Sequence, residues 1–186
     1  MKKFKEVHLA SANRLINHGP LVLVSTRDPE GAYDIAPIAW NCPVHKDPPR
    51  LLTVIGSRHK TYENISKTGE FIVCVPHESQ LDMVKKTGSV SGRDEDKFRL
   101  LDIDAFRGGS VDAMVPSECV GFIECRVFKS VSCGLADAVI GDILAAAVNE
   151  KAFDQRLLTE TDAAKTLHHL GGKVFTVPSY ILPGME

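Results

Sequence analysis

Ile55-Gly56-Ser57-Arg58-His59-Lys60-Thr61 is the stretch of this chain best equipped for chemistry. It joins the end of an apolar, β-rich run to the start of a helical pattern, and it gathers two hydroxyls and two cations at the junction. A phosphate needs that combination. The unpaired N–H groups of a helix start, the positive end of its dipole, the Ser57 and Thr61 hydroxyls and the Arg58 and Lys60 charges can converge on a dianion. Gly56 lets the backbone come close. The same residues also suit an ordinary capped helix with solvated cations on its rim, and the spacing leaves both readings open.

A second unusual stretch is Asp34-Ile35-Ala36-Pro37-Ile38-Ala39-Trp40-Asn41. Proline cannot donate to a sheet ladder and marks an edge or a local break. Backbone groups left free between the small residues Ala36 and Ala39 offer close-range hydrogen bonds to a planar heterocycle. A plain edge strand carrying a proline is the alternative.

Other reactive constellations are missing. The seven histidines show no HExxH or HxH spacing, and the GxxxxGK[ST] loop of an NTPase and the GxGxxG dinucleotide fingerprint are absent. No Ser-His-Asp or paired-carboxylate pattern stands out. The five cysteines, Cys42, Cys74, Cys119, Cys125 and Cys133, include no CxxC pair, so reduced thiols are expected in place of a zinc cage or a redox motif. Cys119 and Cys125 read as core thiols on one face of a strand. His168 and His169 fall on different sides of an expected helix.

The elements that position these residues are mostly strands. Leu21 to Thr26 is a β-rich run closed by the Asp28-Pro29-Glu30-Gly31 turn, and its return arm places Tyr33, Ile35, Pro37 and Ala39 on one face. A third strand, Leu51 to Ile55, follows the Asp47-Pro48-Pro49 turn, and Glu70 to Val75 makes a fourth. Between them Lys60 to Thr68 reads as a helix, with Thr61 as its cap and Gly69 as its end. Glu78 to Thr87, with Gly88 behind it, and Asp94 to Leu101 are further helices. Glu118 to Val131 is a long strand with Cys119, Gly121, Ile123, Cys125 and Val127 on one side and Val120, Phe122 and Phe128 on the other. Ala138 to Val148 is read as a strand with a barrel corner at Gly141. Asp162 to Leu170 is expected to be helical, and Lys173 to Val177 a final strand. Many antiparallel strands with a few short helices suggest a barrel, because closure removes exposed edges.

Composition bounds the remainder. With 186 residues, 44 % hydrophobic and 25 % charged, the chain reads as one compact domain over residues 1–186. A net charge of −2 gives no global attraction to nucleic acid or to an anionic membrane, so any anion must be held locally. Met1 to Glu6 carries three lysines but leads into no long apolar run, and the expectation is a cytoplasmic protein.

From about Leu15 to Pro76, and again at Gly88 to Phe98, Ile140 to Ile143 and Leu167 to Phe175, the chain resembles the flavin reductase-like FMN-binding split barrels, flavoredoxins among them. The marks are Leu21 to Trp40 with its Ala36-Pro37, the Asp47-Pro48-Pro49 turn, and Lys60-Thr61-Tyr62-Glu63-Asn64-Ile65 leading to Thr68-Gly69-Glu70-Phe71. Their order and spacing carry the resemblance. It implies a mainly β, antiparallel Greek-key split barrel and a homodimer with FMN near the subunit interface. The flavin ring would lie beside Ala36, Pro37, Ile38, Ala39, Trp40 and Asn41, and the phosphate beside Ser57, Arg58, Lys60 and Thr61, with Ile55 and Gly56 also among the cofactor-binding residues. Ser91, Lys97 and Phe98 would approach the flavin. NADH or NADPH would be a transient donor, and a small molecule or another protein the redox partner. Many members carry a histidine four residues before the Ile-Gly matching Ile140-Gly141, near the reactive flavin face. Here that residue is Ala136, which the resemblance places at the opposite end of the cofactor from Lys60.

Overall fold

The computed structural model describes residues 19–178 and 180–182. The basic start Met1 to Glu6 and residues 15–18 of the resembling stretch lie outside them. In chain order the first strands are β1 (Val22–Arg27), β2 (Tyr33–Ile38), β3 (Asn41–Lys46) and β4 (Pro49–Gly56), followed by helix α1 (Lys60–Thr68) and β5 (Glu70–Val75). Helices α2 (Leu81–Ser89) and α3 (Lys97–Leu100) and the short strands β6 (Ala105–Arg107) and β7 (Met114–Pro116) form an excursion. The long strands β8 (Gly121–Ser132) and β9 (Ala136–Val148) then return, and the small pairs β10 (Phe153–Asp154) with β11 (Arg156–Leu157) and β12 (His168–Gly171) with β13 (Val174–Thr176) follow.

Seven strands form one antiparallel sheet in the order β2-β1-β5-β8-β9-β4-β3. Its two edge strands, β2 and β3, are joined by Ala39 and Trp40 alone. The three steps from Ile38 to Asn41 reach no more than ~11 Å, which keeps the ends of the two edge strands close as the sheet rolls into a barrel. Hydrogen bonding across the seam is sparse, and the Val54 N–H reaches the Trp40 carbonyl at 2.9 Å. The free edge of β2 beside this seam is the split. Strand β4 returns through α1 to place β5 beside β1, the long connection of a Greek key.

The alternation of β1 sends its side chains two ways. Val22 and Val24 point into the barrel with Ile38, Ile55, Phe71, Val73, Cys125 and Val139. Leu23 and its neighbour Leu21 face outward with Ile35, Ile72, Cys74 and Val84, under α2 and the excursion. Burial on both faces is why the run reads as nearly continuous apolar sequence.

Several expectations are corrected. Asn41–Lys46 is a strand, so Leu51 to Ile55 belongs to the fourth; β3 is exposed and contains Pro43, and shows no apolar alternation. The cap of α1 is His59, not Thr61, which sits inside the helix and is buried. Gly69 ends that helix at φ 72° as expected. Helix α2 runs through Gly88 to Ser89 after a 3-10 turn at Glu78–Gln80. Helix α3 is shorter than Asp94 to Leu101, because Asp96 caps it by accepting from the Arg99 N–H.

The segment Asp162 to Leu170 is not a helix. A 3-10 turn at Asp162–Ala164 gives way to β12, which pairs with β13 across Gly171 and Gly172 at φ 117° and 60°. His168 and His169 therefore alternate across a strand. Cys119 lies before β8 and joins the outer cluster, whereas Cys125 lies inside the barrel. A bulge between Val127 and Lys129 takes Phe128 out of the alternation, and its exposed ring lies under the Arg50 guanidinium at 3.5 Å. No helix among the described residues is long and apolar enough to cross a membrane.

Candidate functional site

Strand β4 ends at Gly56 and α1 begins at Lys60, so Ser57 to His59 form the corner between them. Ser57 is tied to β9's approach: its N–H and its hydroxyl both donate to the Leu135 carbonyl, at 3.0 and 3.1 Å. The His59 N–H closes a turn on the Gly56 carbonyl at 3.0 Å, and a Cβ on Gly56 would come within 3.2 Å of the His59 ring. His59 caps α1 without a side-chain hydrogen bond. The first-turn N–H groups are thus left uncapped, with the positive helix end facing outward.

Behind this corner sits a buried ionic cluster. The Thr61 hydroxyl donates to Asp34 Oδ2 at 2.9 Å. Lys97 Nζ pairs with Asp34 Oδ1 at 2.9 Å and donates to the Ile35 carbonyl at 2.8 Å. Gly92 presses against the same carboxylate, and a Cβ there would collide with it. One strand, one helix and the excursion are thereby locked together.

The cations divide by partner. Lys60 Nζ pairs with Asp28 Oδ2 at 3.3 Å and lies 3.9 Å from Glu63 Oε1. Burial pushes the Asp28 carboxyl up, but the Ala32 N–H and the Lys60 ammonium together hold it below its ordinary value. Arg93 reaches Glu63 at 2.9 Å. The exposed Arg58 side chain makes no ion pair or hydrogen bond among the described residues. Among the described residues, Arg58 is therefore the unengaged cation at the corner.

A cavity of about 300 Å³ opens at this corner and brings together Ala36, Pro37, Arg58, Lys60, Thr61, Ser91 and Lys97. Asp34 and Gly92 also line it. Asp34 escaped the sequence reading, although a carboxylate within the return arm of a half-apolar hairpin is the signal that marks it. Gly88 separates this cavity from a larger one of about 550 Å³ that includes Pro37 and Ala39.

The remaining expected residues sit elsewhere. Ile38 and Ile55 are buried in the barrel. Phe98 packs on the outer cluster, and Trp40 is half exposed. Asn41 donates to the Ile38 carbonyl at 2.8 Å, while its buried Oδ1 has no partner among the described residues. Gly56 and Ser57 shape the corner from behind.

The family model for the flavin reductase like domain matches residues 15–168. This chain belongs to that family. The protein YddH of Escherichia coli (strain K12) is 35% identical over 94% of this chain and 95% of its own length. The FMN-binding domain of a flavin reductases-like enzyme from Shewanella baltica OS155 superposes with a TM-score of 0.80 at 26% identity, covering 96% of both chains. The flavoredoxin of Desulfovibrio vulgaris (Miyazaki F) superposes at 0.83 with 23% identity, over 99% of this chain and 97% of that one. The architecture of this flavin reductase-like domain is thus the split barrel.

One placement drawn from the resemblance changes. Ala136 is the register partner of Gly56 in the β4–β9 pair, next to the Ser57–Leu135 contact. Antiparallel pairing brings it to the Ser57–Thr61 corner, so Ala136 and Lys60 do not occupy distant ends of the site.

Proposed function

We propose that this chain binds FMN and acts as an oxidoreductase, passing electrons from a nicotinamide donor through FMN to flavin, ferric or other small acceptors, as a cytoplasmic homodimer. The observation that carries this reading is the uncapped start of α1, with the unengaged Arg58 beside it, opening on a cavity next to the free edge of β2. The buried, partnerless Asn41 Oδ1 fits a ring N–H donor at that edge.

When bound, FMN supplies the hydride and single-electron chemistry, and no protein acid or base is required. The chain's own residues bind and orient. First-turn N–H groups of α1 and Arg58 hold the phosphate. Asp34 and Lys97 fix the wall against which the cofactor lies. Lys60, already engaged by Asp28, adds to the field around the phosphate.

Titration with FMN and riboflavin tests the reading. Loss of a phosphate held by charge-assisted hydrogen bonds costs about 1.5–3 kcal/mol per bond, so riboflavin should bind at least tenfold more weakly. Arg58→Ala should weaken FMN by the same ten- to hundredfold. Lys60→Ala should change it by about 1 kcal/mol or less, because its charge is already paired. Equal dissociation constants for the two flavins would refute the phosphate site.

Ala136 favours a second reading, a flavoredoxin-like carrier that serves a protein partner without oxidising NAD(P)H. Anaerobic titration of the FMN-loaded protein separates the two. Bleaching by NADH or NADPH supports the reductase, and bleaching by dithionite alone supports the carrier.

A further inference from the structure

The larger cavity lies across the Gly88–Pro37 contact from the corner described above. A Cβ on Gly88 would lie 2.9 Å from Pro37 Cγ, so α2 and β2 nearly touch there, and Pro37, Gly88 and Ser89 line both spaces. Its volume of about 550 Å³ falls in the ~300–1,000 Å³ range of small-molecule sites.

Two features of its lining point to one class of ligand. The walls are apolar: Leu21, Ala39, Val84 and Phe175 supply them. Phe175 is held in place by His169, whose ring lies 5.3 Å away at 50° and whose Nε2 lies 3.0 Å from the Gly172 carbonyl. The rim is cationic. Lys85 and Lys86 come from α2 and Lys173 from the turn between β12 and β13. None of the three ammonium groups makes an ion pair or hydrogen bond among the described residues, and no described residue lining the cavity is an aspartate or glutamate. Two separate elements therefore deliver unneutralised positive charge to the mouth of one apolar space.

We propose that this cavity binds a flat, one- or two-ring aromatic molecule carrying a carboxylate, the ring against Phe175 and Val84 and the anion among Lys85, Lys86 and Lys173. An aromatic ring satisfies the apolar walls, and the carboxylate satisfies cations that no described side chain neutralises. A nucleotide fits less well, because its ribose hydroxyls would meet apolar walls and lose hydrogen bonds to water. The shared wall at Pro37 and Gly88 places such a ligand next to the strand edge assigned to the flavin. Its place beside the flavin rests on the FMN reading; its binding does not.

The test is calorimetric titration of the FMN-loaded chain with 2-naphthoate, 2-naphthamide and AMP, repeated on FMN-free protein. One site per chain is expected for 2-naphthoate, with the uncharged amide at least tenfold weaker and AMP weaker still. Each of Lys85→Gln, Lys86→Gln and Lys173→Gln should weaken 2-naphthoate about two- to fivefold, and the triple variant tenfold or more. Added salt should act in the same direction. These side chains are exposed, so an unchanged melting temperature certifies the variants. Equal binding of acid and amide, an indifferent triple variant or tighter binding of AMP overturns the proposal. So does displacement of 2-naphthoate by FMN, which would make the cavity the flavin's own seat. If 2-naphthoate binds while FMN does not bind at all, the proposal stands and the FMN reading falls.

Discussion

Lys97 carries its charge into the interior, where it is 3 % exposed and held by Asp34 and the Ile35 carbonyl. The resemblance makes it a flavin contact. Its ammonium is engaged by Asp34 and the Ile35 carbonyl at the wall of the corner cavity. Removing one member of a buried pair leaves the other charge without compensation, at a cost of about 3–5 kcal/mol. Lys97→Met should therefore lower urea stability by that amount. Adding Asp34→Asn should recover most of it, because the amide oxygen still accepts from Thr61 and no charge remains. A loss below about 1 kcal/mol for the single variant would mean that the pair does not hold the wall. The thiols show the same dependence on surroundings: burial, with Asp142 and Glu124 nearby, pushes Cys125 up to about 12, and a hydrogen bond with Cys119 together with burial raises Cys74. These are inert core groups.

At the scale of elements, β9 depends on Gly141. A Cβ there would lie 2.7 Å from Phe71 Cζ and 3.1 Å from Cys125 Cβ, inside the barrel. The glycine is needed because the Phe71 ring occupies the space a side chain would take, with Phe71 itself fully buried. Gly141→Ala should cost about 1–3 kcal/mol by overpacking, read from denaturant unfolding. Phe71→Leu in the same chain should reduce that penalty, since contacting residues couple. Additive effects of the two substitutions would place the clash elsewhere.

For the whole molecule, the outer faces of β8 and β9 carry Phe128, Val131, Leu144 and Val148, each more than 40 % exposed. The homodimer proposed above would cover this face. Sedimentation at micromolar concentration should give a dimer, and Phe128→Asp should weaken it by placing a charge in the contact. A stable wild-type monomer that still binds FMN would count decisively against the dimer.

Local chemistry wrote much of this into the chain. The β1–β2 hairpin follows from Asp28-Pro29-Glu30-Gly31, with Gly31 at φ 104°; α1 follows from its periodicity and Gly69; the spacing of these marks points to the family. Such features depend on neighbours within a few residues, and are legible for that reason. Only the tertiary structure decided the rest. Asp162 to Leu170 contains β12 because β13 lies opposite, β3 is a strand because β4 pairs with it, and Ala136 reaches Gly56 through the register of β4 with β9. Thr61 and Lys97 turn inward because Asp34, distant in sequence from both, is buried between them. Pairing register and the burial of charge are set by partners far along the chain, and no local pattern specifies them.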